Sequence, residues 1–246
     1  MQTQKKTVLI TGSSRGIGKA MALAFGRIGY QVVLNASKSV LQLKETEALL
    51  RQENIPVLSF MGDVSDYETC QKLFHATENA FGDIDVLINN AGISHIGLFS
   101  DMSPAQWKRL LAVNLESALN CTHLAIPAMV RKKEGVILNI SSIWGEVGAS
   151  CEAVYSATKG GLNAFTKAMA KELGPSQIRV NAISCGVIDT EMNACFSEEE
   201  RRALTEEIPL MRFGKPEDVA ELALFLAEEK AAFLTGKILT LDGGML

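Results

Sequence analysis

The chain has little of what a membrane, secreted or nucleic-acid-binding protein needs. In its 246 residues, no apolar run approaches the roughly 18 residues required to span a bilayer. Residues 1–6 are too short for a signal region. The net charge is −4 and no basic stripe stands out, which argues against a nucleic-acid partner. We therefore expect a cytoplasmic protein.

Cysteine and histidine are also scarce and show no useful spacing. The chain has five cysteines, an odd number, and three scattered histidines. Disulfide frameworks and metal sites need paired or clustered spacings, so we expect neither disulfides nor a bound metal. The cysteines are Cys70, Cys121, Cys151, Cys185 and Cys195.

What the sequence does contain is an alternation of short β-branched runs and helical stretches. Its residues are 47% hydrophobic and 21% charged, which is typical of one domain with a large core, and no repeat or linker divides positions 1–246. Seven strands with intervening helices predict an α/β fold built on a parallel, doubly wound sheet. The predicted strands are Thr7–Thr11, Gln31–Asn35, Val57–Phe60, Asp85–Asn89, Val136–Ser141, Arg179–Ser184 and Ile238–Leu241.

The first strand runs into a glycine-rich turn and then an alanine-rich helix at 19–29. Gly12, Gly16 and Gly18 give the spacing Gly-x-x-x-Gly-x-Gly. Glycines let the backbone approach a pyrophosphate at a helix N-terminus, where free N–H groups and the dipole favour an anion. Glycines also close ordinary turns between strand and helix, and the spacing differs from the general Gly-x-Gly-x-x-Gly fingerprint.

The end of the second strand lacks an acidic residue. A site that prefers NAD(H) usually places an acid there, roughly 20 residues beyond the glycines, to bind the ribose hydroxyls. This chain has Asn35, Ala36, Ser37 and Lys38 instead. With no carboxylate to repel a 2′-phosphate, and with Arg15 and Lys38 nearby, the sequence favours NADP(H). Either basic residue alone is equally compatible with a solvated surface.

Two further loops are candidates for contact with a cofactor. Asp63 follows the third strand and faces either an adenine or the start of a helix, which Ser65 or Asp66 would cap as readily. The segment Asn89-Asn90-Ala91-Gly92 ends the fourth strand at the edge where such sheets bind ligands. A simple turn would use the same residues, and their position favours the cofactor.

A candidate active site lies between Ser142 and Lys159. Tyr155 precedes Lys159 by four residues and Ser142 precedes Tyr155 by thirteen. Apolar residues at helical spacing follow, so the tyrosine and lysine should share one helix face. We expect the ammonium to lower the pKa of the phenol toward the pH at which acid and base catalysis is effective. With Ser142 bonding the substrate oxygen, this arrangement would reduce a carbonyl. Tyr-x-x-x-Lys by itself could be a chance pair on a surface helix.

Asn114 is a polar residue within an apolar helical stretch, Leu111-Ala-Val-Asn114-Leu. A buried asparagine needs hydrogen-bond partners. It is therefore either a structural tie or part of a polar chain that leads from the active site.

Taken in order, these motifs resemble the short-chain dehydrogenase/reductases, from about Lys5 to Leu246. The resemblance implies a single-domain Rossmann fold with strand order 3-2-1-4-5-6-7, a nicotinamide cofactor and a homotetramer. It makes Tyr155 the proton donor, Ser142 the group that orients the carbonyl, and Lys159 a ligand of the nicotinamide ribose. Asn114 would hold a water that relays protons through Lys159. The implied cofactor contacts are Gly12, Ser14, Arg15, Gly16, Ile17, Gly18, Asn35, Ser37, Asp63, Val64, Asn90, Ala91, Gly92, Tyr155, Lys159, Gly186, Ile188 and Thr190.

Cys185 departs from the family pattern, which commonly has Pro-Gly at this point. Losing the fixed proline φ should loosen the loop that carries Ile188 and Thr190. The thiol is either a small buried filler or a reactive group.

Within the family, the chain is most similar to the 3-oxoacyl-[acyl-carrier-protein] reductases. That similarity implies NADPH-dependent reduction of a 3-oxoacyl thioester beneath a lid at 191–212. Another ketone, sugar, sterol or secondary alcohol is the alternative substrate, and a non-catalytic NADP(H)-binding protein is the remote one. Lys132 and Lys133 either flank the entrance for a carrier protein or cap a helix C-terminus. Ser176 and Gln177 stand where the carrier-protein reductases often have arginine or glycine.

Overall fold

Seven parallel strands form the centre of the protein, whose computed structural model describes residues 5–193 and 196–246. Their order is β3-β2-β1-β4-β5-β6-β7. The predicted fold class and strand order are therefore confirmed, and the predicted strand ends are correct to within one residue. The strands are β1 (Thr7–Ile10), β2 (Gln31–Ala36), β3 (Val57–Met61), β4 (Val86–Asn89), β5 (Gly135–Ser142), β6 (Ile178–Cys185) and β7 (Ile238–Leu241).

Helices connect the strands and cover both faces of the sheet. None of those within the described residues is long and apolar enough to cross a membrane. The α-helices are α1 (Gly16–Arg27), α2 (Val40–Gln52), α3 (Tyr67–Phe81), α4 (Pro104–Leu111), α5 (Ser117–Lys132), α6 (Trp144–Val147), α7 (Ala153–Leu173), α8 (Glu198–Glu206) and α9 (Pro216–Ala227). Short 3₁₀ turns lie at Phe99–Asp101, Gly174–Ser176, Glu191–Asn193 and Glu229–Ala231.

The five inner strands are buried on both faces and consist mainly of aliphatic residues, as parallel sheets require, whereas the edge strands β3 and β7 are partly exposed. In β1, Leu9 belongs to one core layer and Ile10 to the other. The first layer includes Leu73 of α3 and packs α3, α5 and α7 against the sheet. The second packs α1 and α9 against the other face, with Phe25 and Val219 fully buried. Each such side chain stabilises the fold by roughly 1.5–3 kcal/mol.

The winding of the sheet reverses beside β1, which pairs with β2 on one side and β4 on the other. At such a switch point the loops after the strands diverge and leave a crevice at the carboxyl edge of the sheet. The glycine turn follows β1, and the segment 90–92 follows β4. Ser142, one of the catalytic candidates, is the last residue of the next strand, β5.

A π-helical turn, Ala112–Glu116, joins α4 to α5 and contains Asn114. The N-terminus of α4 is well defined, because Ser103 and Gln106 form a capping box ahead of Pro104. The wider π turn rotates the following helix relative to α4, and such turns occur often at functional sites. It lets Asn114 face the segment that leaves β4.

Candidate active site

The glycine turn after β1 has room only for glycine at two positions. Gly12 has φ +63°, and a Cβ added there would lie 2.9 Å from Ala91 Cα. A Cβ on Gly18 would lie 2.4 Å from the carbonyl oxygen of Gly12. Gly16 has φ +52°, and a Cβ added there would lie 3.4 Å from Thr190 Cγ2. The turn therefore packs tightly against the loops after β4 and β6.

Helix α1 begins directly after this turn and offers free N–H groups. Its N-cap is Arg15, whose side chain makes no capping hydrogen bond, and its first turn contains no acidic residue. Ser14 is buried and Ile17 is half-buried on either side of this start. A close-packed glycine backbone and an unneutralised helix N-terminus together suit a pyrophosphate. The residues present thus fit the dinucleotide that the sequence predicts.

The side-chain amide of Asn90 joins the loop after β4 to the glycine turn. Its Nδ2 donates to the carbonyl oxygens of Thr11 and Gly12, each at 2.9 Å. The backbone N–H groups of Asn90 and Ala91 both donate to Thr11 Oγ1 at 3.0 Å. The Asn90 side chain therefore joins two loops, and its contact with the ribose stays a prediction.

Asn35 likewise supports the site from behind. It is 1% exposed, and its Nδ2 donates to the carbonyl oxygens of Phe60 at 3.3 Å and Gly62 at 3.0 Å. Its own N–H donates to Ser13 Oγ at 2.9 Å, which ties β2 to the glycine turn. Ser37 and Lys38, which follow the end of β2, are exposed. No carboxylate follows β2 before α2 begins.

Arg15 reaches across the crevice to two other segments. Its Nη1 lies 3.0 Å from Glu191 Oε2 and 3.1 Å from Gln42 Oε1. Gln42 Nε2 in turn donates to Glu191 Oε1 at 3.0 Å. Sequence reasoning noticed Arg15 but gave no sign of its partners, which lie on α2 and at the start of the lid.

Asp63 is held by residues of its own loop and by α4. Its Oδ1 accepts from the Ser65 hydroxyl at 2.7 Å, and its Oδ2 lies 2.6 Å from Arg109. Burial alone would raise the pKa of Asp63, but hydrogen bonds from Ser65 and Arg109 outweigh it and lower that pKa. Val64 is 3% exposed, and Asp66 provides the N-cap of α3. The capping alternative holds for Asp66, and the adenine role of Asp63 stays a prediction.

Ser142, Tyr155 and Lys159 meet at the carboxyl end of β5. Tyr155 and Lys159 lie in the first two turns of α7, with Lys159 Nζ 5.6 Å from the centroid of the tyrosine ring. Ser142 lies beside the Tyr155 phenol and acts to lower its pKa. Lys159 Nζ donates to the carbonyl oxygen of Ile140 at 2.8 Å. The helical spacing thus placed the tyrosine and lysine correctly relative to the strand.

The protonation states differ from the sequence-based expectation. Burial raises the pKa of the Tyr155 phenol well above its usual range, and the neighbouring Ser142 only partly opposes this. The net shift of this pKa is therefore upward, whereas the sequence predicted a lowered pKa. Burial also lowers the pKa of Lys159 to about 8. The arrangement favours a neutral phenol, which is the form that gives up a proton.

Asn114 acts as a structural tie and also lies next to Lys159. Its Oδ1 accepts from the N–H of Ile93 at 2.8 Å, and its Nδ2 donates to the Ile93 carbonyl oxygen at 2.9 Å. A Cβ added to Gly92 would lie 3.6 Å from Asn114 Oδ1 and 3.7 Å from Lys159 Nζ. Both polar groups therefore border Gly92, a proximity that the sequence alone could not establish.

Cys185 is a neighbour of the catalytic candidates. It is the last residue of β6, is 5% exposed and pairs with Ser142 in the sheet register. Burial raises the pKa of its thiol to about 12, although the charge of Lys159 opposes this. Of the two interpretations of Cys185, the buried filler is the one that fits. The loop begins only at Gly186, where an added Cβ would lie 2.7 Å from Asp242 Cα.

The loop after β6 returns toward the glycine turn. Ile188 is 3% exposed and forms an isolated bridge with Gly214. Thr190 follows, and its side chain faces Gly16. Of the predicted lid, 191–193 and 196–212 are described, whereas Cys195 lies outside the described residues.

The entrance to the site has polar links and an exposed apolar rim. Ser94 Oγ donates to Glu152 Oε1 at 2.7 Å, and the N–H of Gly97 donates to the carbonyl oxygen of Cys151 at 2.9 Å. These bonds join the loop after β4 to the segment just before α7. Large apolar side chains are exposed in these loops and at the start of the lid, namely Ile96, Leu98, Phe99, Val147 and Met192.

Lys132 and Lys133 lie far from this entrance in the same chain. They precede Gly135, where β5 begins, whereas Ser142 ends that strand, roughly 23 Å away at about 3.3 Å per residue. Lys132 Nζ is bound to Asp85 Oδ1 at 2.5 Å. The two lysines therefore do not flank the active site of their own subunit.

A doubly wound sheet with a glycine turn at its switch point, and with serine, tyrosine and lysine converging beside it, defines a dinucleotide-dependent oxidoreductase. A family model described as enoyl-(acyl carrier protein) reductase matches residues 12–246. The chain belongs to the short-chain dehydrogenase/reductase family, as the sequence motifs predicted. Membership implies a nicotinamide cofactor and chemistry between an alcohol and a carbonyl.

The names of similar proteins point to more than one substrate. The chain is 38% identical over 245 residues to the 3-oxoacyl-[acyl-carrier-protein] reductase FabG of Aquifex aeolicus, covering 100% of this chain and 99% of that one. It is 38% identical over 240 residues to the uncharacterised oxidoreductase YmfI of Bacillus subtilis, covering 97% and 98%. A crystal structure of a candidate gluconate dehydrogenase from Agrobacterium tumefaciens gives a TM-score of 0.93 at 31% identity, covering 98% and 95%.

Proposed function

We propose that the protein is an NADPH-dependent reductase of 3-oxoacyl thioesters. The observation that carries the proposal is the convergence of Ser142 with the neutral Tyr155 phenol at the carboxyl end of β5, where Lys159 Nζ lies 5.6 Å from the tyrosine ring centroid. A group of this kind is suited to protonate the oxygen of a carbonyl as that oxygen gains negative charge. The bound cofactor supplies the hydride.

The protein orients the substrate and supplies the proton. The Ser142 hydroxyl and the Tyr155 phenol would both donate to the carbonyl oxygen, and Tyr155 would transfer its proton to it. Lys159 lies close enough to stabilise the phenolate that results, because its ammonium is 5.6 Å from the ring centroid. We expect Asn114, which borders Gly92 together with Lys159, to hold the water that returns a proton through Lys159.

Preference for NADP(H) follows from the charges around the adenosine end of the crevice. Ser37 and Lys38 stand where an acid would repel a 2′-phosphate, and Arg15 supplies a guanidinium close by. The first turn of α2 contains no acidic residue, so its N-terminus also favours an anion. The phosphates would lie against Gly12, Gly16 and Gly18.

The thioester substrate is inferred from two observations. Several relatives carry the name 3-oxoacyl-[acyl-carrier-protein] reductase, including those of Aquifex aeolicus and Staphylococcus aureus. The exposed apolar rim at the entrance also suits an acyl chain. An acyl carrier protein as partner, a homotetramer and a cytoplasmic location complete the proposal, and Lys133 would meet the carrier only across a subunit boundary.

A second candidate is an oxidoreductase of another ketone or secondary alcohol. The structural likeness to a candidate gluconate dehydrogenase favours it, because the same serine, tyrosine and lysine would serve a polyol. A non-catalytic NADP(H)-binding protein is the remote alternative, but such a protein would be free to lose part of the catalytic set. All four positions of that set, Asn114, Ser142, Tyr155 and Lys159, are filled here.

The test is NADPH oxidation by the purified protein with an acetoacetyl thioester on acyl carrier protein and on coenzyme A. NADH, a simple ketone and gluconate with NADP⁺ serve as parallel reactions. Strong turnover only with the thioesters supports the proposal, and activity confined to ketones or gluconate favours the second candidate. Tyr155→Phe should lose turnover by at least a hundredfold while still binding NADPH, and an active variant would contradict the mechanism.

A further inference from the structure

Three side chains from distant parts of the chain form a closed ring at the adenosine end of the crevice. Arg15 extends from the glycine turn, Gln42 from the first turn of α2, and Glu191 from the start of the lid. The arginine contacts both partners at 3.0 and 3.1 Å, and the glutamine donates to the carboxylate at 3.0 Å. The ion pair is about half exposed, with 52% and 56% of the two side chains accessible.

Glu191 is the acidic member of this ring, and it occupies Arg15 from the lid side. A phosphate monoester that bound the same guanidinium would lie on the order of 5–6 Å from the carboxylate, given hydrogen-bond lengths near 3 Å and the width of the fork. At neutral pH that phosphate carries close to two negative charges. The carboxylate must then either leave Arg15 or repel the phosphate.

We propose that Glu191 is a specificity-determining residue that competes with the cofactor 2′-phosphate for Arg15. The inference rests on the proposed preference for NADP(H). NAD(H) carries hydroxyls at this position, so it leaves the ion pair undisturbed and gains nothing from Arg15. NADP(H) gains the guanidinium but must displace the carboxylate. The absence of an acidic residue after β2 favours NADP(H) over NAD(H), and Glu191 weakens that preference.

Gln42 keeps Arg15 in position in both situations. Its amide oxygen accepts from the arginine and its amide nitrogen is a donor that suits either a carboxylate or a phosphate oxygen. Because the amide is neutral, Gln42 does not itself discriminate between the two cofactors. It acts as a positioning residue for the guanidinium.

The test measures dissociation constants of NADPH and NADH, by the fluorescence of the reduced nicotinamide, for the wild type and for Glu191→Gln. We expect NADPH to bind about three- to tenfold more tightly to the variant, and NADH to change less than twofold. Glu199→Gln is the matched control, because it removes the same charge from α8 without touching the ring. The gain should shrink as ionic strength rises.

A second pair of variants distinguishes competition for Arg15 from a general effect of removing one negative charge. In Arg15→Gln, which cannot form the ion pair, the further change Glu191→Gln should leave NADPH affinity within about twofold. An equal gain in both backgrounds, or an effect that Glu199→Gln reproduces, would overturn the role of Glu191. If the wild type prefers NADPH and Glu191→Gln does not alter the ratio, only this inference fails. A wild-type preference for NADH would overturn the proposed cofactor as well.

Discussion

Replacing Lys159 with methionine should abolish turnover and yet stabilise the protein at neutral pH. Lys159 is 4% exposed, and burial lowers its pKa from an ordinary 10.5 to about 8. That difference corresponds to roughly 3 kcal/mol of unfavourable burial of the ammonium. Methionine fills a similar volume without the charge. It also loses the hydrogen bond to the Ile140 carbonyl, which costs about 1–2 kcal/mol, so the net gain should be about 1–2 kcal/mol.

The difference in free energy of unfolding between Lys159→Met and the wild type should depend on pH. A change in packing alone would not produce that dependence. Below about pH 8, Lys159 is protonated in both the folded and the unfolded chain, and the folded state bears the full cost of the buried charge. Between about 8 and 10.5 the folded protein loses its proton first. The unfolded chain then binds more protons, and wild-type stability rises with pH by up to about 1.4 kcal/mol per pH unit.

The assay is urea unfolding of wild type and Lys159→Met at matched protein concentration, at several values between pH 7 and 10. Groups other than Lys159 titrate alike in both proteins, so their contributions cancel in the difference between the two free energies. The advantage of the variant should be largest at pH 7, shrink above pH 8 and approach zero or reverse near pH 10. A variant that is less stable at pH 7, or a difference that does not change with pH, would refute the reasoning.

Three further outcomes follow from the site. Gly18→Ala should lose cofactor affinity by more than tenfold in a binding titration, because its Cβ would lie 2.4 Å from a carbonyl oxygen of the glycine turn. Iodoacetamide at pH 8 should label the half-buried Cys151 and spare Cys185, whose pKa is near 12, as peptide mass spectrometry would reveal. Asn114→Ala should lower the free energy of unfolding by about 1–3 kcal/mol and slow turnover, because the N–H and C=O of Ile93 lose their partner.

The sheet and the proximity of Tyr155 and Lys159 were predictable because both depend on local periodicity. Strands that are buried on both faces must be continuous apolar runs, and those runs stand out in the sequence. Tyr155 and Lys159 are four residues apart, so any helix at this point places them on one face. Ser142 ends the adjacent strand, and the parallel order of the sheet brings it to the same edge.

The hydrogen-bond and ion-pair partners of the polar side chains were not predictable, because those partners are distant in the sequence. The side-chain amides of Asn35 and Asn90 donate to backbone carbonyl oxygens 25 and 79 residues away, those of Phe60 in β3 and Thr11 after β1, and their contacts with a cofactor stay predictions. Asp63 is likewise taken by Arg109. The pKa of Tyr155 was expected to fall because its nearest charge is a lysine. Its burial, which only the complete fold determines, raises that pKa instead.

The substrate is the least predictable feature because the walls of the entrance are fixed by contacts between loops. The Ser94–Glu152 bond spans 58 residues and sets the distance between the loop after β4 and the start of α7. Glu152 lies three residues before Tyr155, so a change in this link shifts the wall and the proton donor together. Ser142, Tyr155 and Lys159 can therefore stay unchanged while changes in these loops alter which substrate enters the site. Specificity should follow exchanges of these loops, with the catalytic residues left in place.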